Sequence, residues 1–575
     1  MDAHKRCGAN AITDCQASDP AHFQPNKSPY FLLVIFLITL TLCGWGCGGA
    51  TSAAPRTSTS ATDSSGTAQS PSGGSTTQVP PSSNGNTPSN SGGGASSNPP
   101  TSTPGIVTSV SATPSPATVL ASRTIQFAAS VQGIAADKSV TWSAARGTIT
   151  PSGLYTAPAS AGTDTVTATS NADPTQSSSI TVSITPAPPP NAVSLLHFGN
   201  AGFGGDDTNV FQTAINSTAS NGQPLEIPAG NYNINPISFP NNSNVFVDAG
   251  VLVTANSGYG TSSVMLSIHS SNVTLTGAGA AVSVFHMRKA EYTSGEWRHC
   301  LNIQNASNVT VSGISCNDSG GDGVYVSYST NITVQDSVFN NNRRQGSSIT
   351  GGVNHIYYFR NHVTNTIGTA PQSGIDIEPN APGDFLLDVN IQDCYTDGNA
   401  GDGLMISTWL MDSTSQPISV NVLRHHSTGN QRYGYVGINN DPTNAPGAIL
   451  IQDSFSDQSG SSGASGRFYG ANGASLTFQN LTVTNPHVNG PDPSYGDSAA
   501  VDVIRGGGGT VALGNVHFLG INVAVTNGKV DRYFNFQDFS NKGITNVQFV
   551  PGTLSGATQA PPNGLMQGQG FNVIN

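Results

Sequence analysis

Charge is what this chain lacks most. Only 9% of its 575 residues are Asp, Glu, Lys or Arg, against roughly 25% in an average soluble domain. Twenty Lys and Arg face 32 acids, for a net charge of −12. That balance leaves no basic footprint for a nucleic acid. Cysteine is scarce as well. Cys7, Cys15, Cys43 and Cys47 all precede position 48, and only Cys300, Cys316 and Cys394 remain for the body. Three thiols make no disulfide framework, and Cys300 and Cys316 read as small apolar core residues. No Cys-x-x-Cys or His-rich spacing suggests a metal. Helix formers such as Glu, Lys and Leu are few, whereas 66 Gly, with much Ser, Thr and Asn, favour strands joined by many turns.

Long apolar runs are also missing. The single candidate, YFLLVIFLITLTL at 30–42, follows Lys5, Arg6 and Lys27. It is short for a membrane span and suits the apolar region of an export signal. Residues 1–47 are therefore expected to be a signal or anchor segment, placing the protein outside the cell or at its surface. Cys47, amid small residues, is a candidate lipid-attachment site, although Trp45 and Gly44 fit that signal poorly. An uncleaved anchor is the alternative, and contact with a membrane is expected only through this segment. Residues 48–104 are nearly all Ser, Thr, Gly, Pro, Ala and Asn. They cannot bury a core and read as a disordered linker.

From 105 to 186 the pattern changes to short alternating strands separated by turn residues, which predicts a β-sandwich with Trp142 as its core aromatic. The run VTWSAARGTITPSGLYTAPASAGTDTVTATS resembles bacterial immunoglobulin-like domains. TPAPPPN at 185–191 is a stiff linker. Beyond it, LHFGNAGFGGDDTNVFQTAINSTASNGQPLEIPAGNYNI resembles the N-terminal start of pectate-lyase-like β-helix proteins. The resemblance implies a short helix, capped by Asp207 or Thr208 and running to about Asn216, and then IPAGNY as a strand and turn.

The body repeats. LNIQNASNVTVSGISCNDSGGDG (301–323) aligns without gaps on VYVSYSTNITVQDSVFNNNRRQG (324–346) and on the segment from 347, with Asn308, Asn331 and Asn354 in step. Further equivalents are expected near Ile375, Leu404, Tyr435, Arg467 and Val501. Such a period, with strand patterning, is a solenoid of β-strands. The expected fold over 192–575 is a single-stranded parallel β-helix, right-handed by the resemblance. The chain as a whole is then all-β, with an immunoglobulin-like sandwich before the solenoid. The Asn-x-Ser/Thr sequences here are read as stacked turn asparagines rather than glycosylation sites.

Successive turns of a β-helix stack about 4.8 Å apart, so columns can be read from the repeat. Leu301, Val324, Ser347, Ile375, Leu404 and Tyr435 form an inward column. Asn302, Tyr325, Ser348, Asp376 and Met405 follow it on the outer face, and Gln304, Ser327, Thr350, Glu378 and Ser407 lie two residues further on. His299, Asp322, Gln345, Ser373, Asp402 and Tyr433 come two residues before the inward column. Asp322, Arg344, Asp376, Glu378 and Asp402 thus gather on one outer face. Nine of the 20 Lys and Arg fall between 286 and 470, which points either to ion pairs binding rungs together or to a groove for an acidic polymer.

A groove along stacked rungs suits a polysaccharide, with Tyr325, Arg343, Gln345, Trp409, Arg432 and Tyr433 as candidate contacts. Paired carboxylates could hydrolyse a glycosidic bond. A uronate lyase or epimerase instead needs its substrate carboxylate neutralised, by calcium on Asp376 and Glu378 or by Arg344, and a base such as Arg344, His355 or Tyr325. SGIDIEPN (373–380) resembles the Gly-apolar-Asp-Pro-His motif of β-helix mannuronan epimerases, with Glu378 in place of the His. Its alternate acids also resemble the calcium ligands of alginate-lyase and chondroitinase-B-type β-helices, without the Lys that those families use as base. The NTD, DD, GHG and RIK motifs of polygalacturonases are absent, and GGDG (320–323) and GDG (401–403) echo them only in part. Lyase or epimerase chemistry is the leading expectation, with a glycoside hydrolase or a glycan-binding adhesin as alternatives.

Overall fold

A computed structural model describes residues 106–559 except 440–444, 469–472, 493–495, 497, 506–510 and 539–541. The expected signal, lipid-attachment and linker segments lie outside the described residues. Among the described residues no helix is long and apolar enough to cross a membrane.

Residues 107–185 form a small all-β unit. A four-stranded sheet, a three-stranded sheet and a two-stranded ribbon are built from strands that alternate small apolar and polar residues. Its core centres on Phe127 and Tyr155, whose rings meet edge to face at 6.0 Å. Trp142, expected at the centre, packs only partly buried at the core's margin.

An α-helix follows, α1 (Thr208–Asn221). It runs past the expected end at Asn216 and stops where Gly222 takes a left-handed φ of 65°, the usual C-terminal role of glycine. The expected Asp207 cap takes a different form. Asp206 accepts the Thr208 N–H at 3.0 Å, while Asp207 accepts from Gly202 and Asn233 N–H at 3.0 and 2.9 Å, tying the helix start to the first coil.

The described residues after α1 build a parallel β-helix. Each turn adds one strand to an eleven-stranded parallel sheet and two to a continuous 23-stranded surface bent around the other faces. Parallel strands joined by crossovers within one sheet coil right-handed for steric reasons. The eleven-stranded sheet carries the candidate residues on β1 (Leu301–Gln304), β2 (Val324–Ser327), β3 (Ser347–Thr350), β4 (Ile375–Glu378), β5 (Leu404–Thr408), β6 (Tyr435–Asn439), β7 (Ala464–Arg467) and β8 (Ala499–Arg505). Their register pairs Leu301, Val324, Ser347, Ile375, Leu404 and Tyr435 as the repeat predicts. The next rung begins at Ala464 rather than Arg467, because Arg467 pairs with Ile438; Val501 follows in register.

Side-chain ladders hold the corners. Asn272, Asn308 and Asn331 each donate to the asparagine one rung back, at 3.0, 3.0 and 2.7 Å, from left-handed backbone. At another corner Arg360 forks onto Asp336, and Arg424 onto Asp393, each at 2.7 and 2.8 Å. Part of the arginine concentration is thus rung-to-rung pairing.

Glycine supplies a further column that the repeat reading passed over. Gly323, Gly346, Gly374, Gly403, Gly434 and Gly463 immediately precede the inward residues of β2 to β7. At Gly403 a Cβ would sit 2.1 Å from Ser427 Oγ and 2.6 Å from the Gly434 carbonyl oxygen. The glycines of GGDG and GDG answer to this interior crowding.

Candidate functional site

The outer face of β2 to β5 brings Asp322, Arg344, Asp376, Glu378 and Asp402 together over successive rungs, as the columns predict. The acids do not face open water, however. Asp322 and Asp402 are 0% exposed, Asp376 2%, Glu378 8% and Arg344 4%. The segment between Met287 and Leu301 crosses this face. Trp297 lies under the Arg344 guanidinium at 5.6 Å, and Glu296 Oε2 reaches Arg344 Nε at 3.5 Å.

The turn before each strand builds the cluster. His299 Nδ1, Asp322 Oδ1, Gln345 Oε1 and Asp402 Oδ1 accept, respectively, the backbone N–H of Asp322, Gln345, Ser373 and Tyr433, one rung on, at 2.8–3.1 Å. The ladder breaks at Ser373, whose Oγ is buried with no hydrogen-bond partner. Two of the acids, Asp322 and Asp402, have a structural duty on one oxygen. Asp322 Oδ2 is also held, by Ser348 Oγ at 2.8 Å and Arg344 Nη1 at 3.4 Å. Arg432 Nη1 lies 3.7 Å from Asp402 Oδ2.

Asp376 differs. Its Oδ2 accepts from Gln345 Nε2 at 2.6 Å, while its Oδ1 is buried with no hydrogen-bond partner. Burial, opposed by Arg344 and reinforced by Asp322 and Asp402, raises its pKa to about 7. Asp322 is raised by burial too, to about 6, against the lowering by Arg344, Ser348 and Gln345. Burial and Arg344 push His299 down to about 3, so it stays neutral. Asn302 Oδ1 and Ser327 Oγ, outward on β1 and β2, are likewise buried without a partner. Buried polar atoms in this state have hydrogen-bonding capacity left for water or a bound polar group.

The expected polymer contacts resolve differently. Tyr325 stacks on His299 at 4.8 Å and receives the Thr350 hydroxyl, so its ring is covered. Arg343 anchors turns, bonding Thr369 Oγ1 at 3.0 Å and the Tyr292 carbonyl. Gln345 binds Asp376. Trp409 packs with Met405, Tyr433, Val436 and Ile438, an apolar patch beside the acids. The Tyr433 hydroxyl bonds Asp492 and receives Arg467 Nη2. Arg432 sits over the Tyr433 ring at 5.8 Å. His355 lies elsewhere, on the 23-stranded surface, paired with Asp388 at 2.6 Å.

The calcium reading also fails a fit test. A calcium ion takes 6–8 oxygen ligands, several of them anionic. Here Asp376 Oδ2 already accepts an amide N–H. Among the described residues no three His, Cys, Asp or Glu converge as metal ligands.

Sequence reasoning missed Glu296, Trp297 and Asp502. The last had a signal: it follows Val501, so it occupies the column of Asp376, and it accepts Ser462 and Ser465 hydroxyls at 2.5 Å.

A sequence family described as "Right handed beta helix region" matches residues 289–382, a stretch that includes Asp322, Arg344, Asp376 and Glu378 and ends before Asp402. No curated protein matches the sequence. Among solved structures, the A-module of mannuronan C-5 epimerase AlgE6 from Azotobacter vinelandii superposes with a TM-score of 0.51 at 15% identity, covering 66% of this chain and 97% of that one. An Acinetobacter baumannii phage tailspike, a capsular polysaccharide depolymerase, reaches 0.41 at 14% identity over 67% and 65% of the two chains. A Yersinia enterocolitica family 28 exopolygalacturonase reaches 0.36 at 13% identity over 74% and 86%. The first of these supports the right-handed parallel β-helix fold.

Proposed function

We propose that this β-helix cleaves a polysaccharide as a glycoside hydrolase, with Asp376 as proton donor. The observation that carries the reading is the state of Asp376: a carboxyl raised to about 7, one oxygen held and the other buried without a partner. A general acid needs a proton retained near working pH and aimed at the leaving oxygen. Glu378, two residues along β4 on the same face, is the second carboxyl. Cα atoms so spaced on a strand lie roughly 6.5–7 Å apart, and side-chain spread about that separation lets the two carboxyl groups reach the spacing of either stereochemical course. Asp322 is the ionic partner that fixes Arg344.

The geometry supports this more than the lyase or epimerase reading. That chemistry needs a cation for the substrate carboxylate, but Arg344 is engaged by Asp322 and Glu296, and the acids do not fit calcium. The fold itself is used by an enzyme acting on mannuronan. We also infer export, from the apolar run at 30–42; a secretion assay with that run deleted tests it.

The functional test is a panel of mannuronan, polygalacturonate and α-1,3-glucan, read by new reducing ends and by the ultraviolet absorbance of unsaturated uronate. A hydrolase gives the first without the second. Unsaturated product would establish a lyase. Binding without turnover, unaffected by Asp376→Asn and Glu378→Gln, would establish an adhesin.

A further inference from the structure

Gln345 is wholly buried and touches both acids at the centre of the cluster. Its backbone N–H donates to Asp322 Oδ1 at 3.1 Å, and its Nε2 donates to Asp376 Oδ2 at 2.6 Å. Its Oε1 accepts the Ser373 N–H at 2.8 Å. The last bond settles the orientation of the amide. A backbone N–H can only donate, so the atom facing Ser373 must be oxygen, and the atom facing Asp376 must be NH2.

It follows that Asp376 Oδ2 always meets a donor. A carboxyl proton on that oxygen would point at another N–H, so the proton belongs on Oδ1, the oxygen with no protein partner. We propose that Gln345 is a positioning residue that confines the acidic proton of Asp376 to Oδ1, the oxygen left for the substrate. The proposal rests on the reading of Asp376 as proton donor.

The residue type matters. This turn position is occupied by Asp322 one rung earlier and Asp402 two rungs later. A carboxylate at 345 would add a further anion against Asp376, which already has Asp322 two turns below, Asp402 on the turn above and Glu378 along its own strand. Arg344 supplies the cation. Gln345 bonds both neighbours and stays neutral at every pH, so the proton's place does not change as the acids titrate.

Two substitutions separate the role from simple support. Gln345→Glu keeps an oxygen for the Ser373 N–H and removes the donor to Asp376. Gln345→Met removes both without adding charge. With whichever panel polymer the wild type cleaves, each variant is expected to lose tenfold or more in kcat, with KM within about twofold. The basic limb of the pH profile should move upward, because the ionised form of Asp376 has lost a donor. A substrate-free arm follows the unfolding midpoint of each variant against pH. The decline on raising pH should extend to higher pH than in the wild type. A folded variant with kcat, basic limb and melting profile all unchanged overturns the proposal. If Asp376→Asn is inactive while the Gln345 variants behave as wild type, only this inference fails; if Asp376→Asn stays active, the hydrolase reading itself fails.

Discussion

Arg344 and Asp322 stand on neighbouring rungs with Nη1 3.4 Å from Oδ2, in a place neither shares with solvent. Arg344 lowers the pKa of Asp322 and of Asp376 alike. Removing the cation leaves a buried carboxylate uncompensated, a loss worth about 3–5 kcal/mol. Arg344→Met is therefore expected to lower the unfolding free energy, read from a denaturant titration at pH 7, by that amount and to push both acids further up. An unfolding free energy within about 1 kcal/mol of wild type would show that the pair contributes no net stability.

Asp376 links stability to pH in a definite direction. Its folded pKa, about 7, lies above its ordinary value of 3.8. The neutral carboxyl suits its site and the ionised one does not. Its contribution to stability is thus fully present below pH 3.8, and is lost as pH rises through 7. In Asp376→Asn the wild-type decline of the melting temperature between pH 5 and pH 8 should flatten, while turnover falls by about 10²–10⁴-fold. An unaltered pH slope would show that Asp376 titrates normally.

Gly403 tests the interior glycine column. Its missing side chain makes room for Ser427 Oγ and the Gly434 carbonyl. Gly403→Ala must displace backbone of the next rung, a crowding that costs about 1–3 kcal/mol. Thermal denaturation measures this. The loss should leave the pH dependence of turnover where it was, because the added methyl meets Ser427, Gly434 and Asn430 rather than Asp376.

Arg424 is the contrasting case. Its fork onto Asp393 has good geometry, but the two side chains are 47% and 34% exposed. Exposed pairs contribute little, usually under about 1 kcal/mol. Arg424→Ala should stay within that bound and leave turnover unchanged, confirming that this arginine serves the coil and not the groove.

Much of the fold was legible because a parallel coil forces register. Once Val324 follows Leu301 and Ser347 follows Val324, the outward position of Asp376 is determined by the strand's period of two. The same regularity placed Arg344 and Asp402 near it. Register says nothing about what lies over a face. The segment carrying Glu296 and Trp297 belongs to no repeat, so the burial of the acids could not be read, and with it went their raised pKa values and the loss of calcium as a fit. Tyr325 failed as a polymer platform for the same reason: a column locates a ring but not its cover. The choice between rung pairing and a groove was open for Arg360 and Arg424 until the corners, where left-handed backbone stacks them on Asp336 and Asp393, were seen.

The most direct test of the central claim is the product of the panel polymer, measured for the wild type and for Asp376→Asn across pH. The account predicts new reducing ends without unsaturated uronate, turnover that falls as pH rises past about 7 as the donor loses its proton, and loss of turnover with retained binding in Asp376→Asn. Unsaturated product, or turnover in Asp376→Asn equal to wild type, would contradict it.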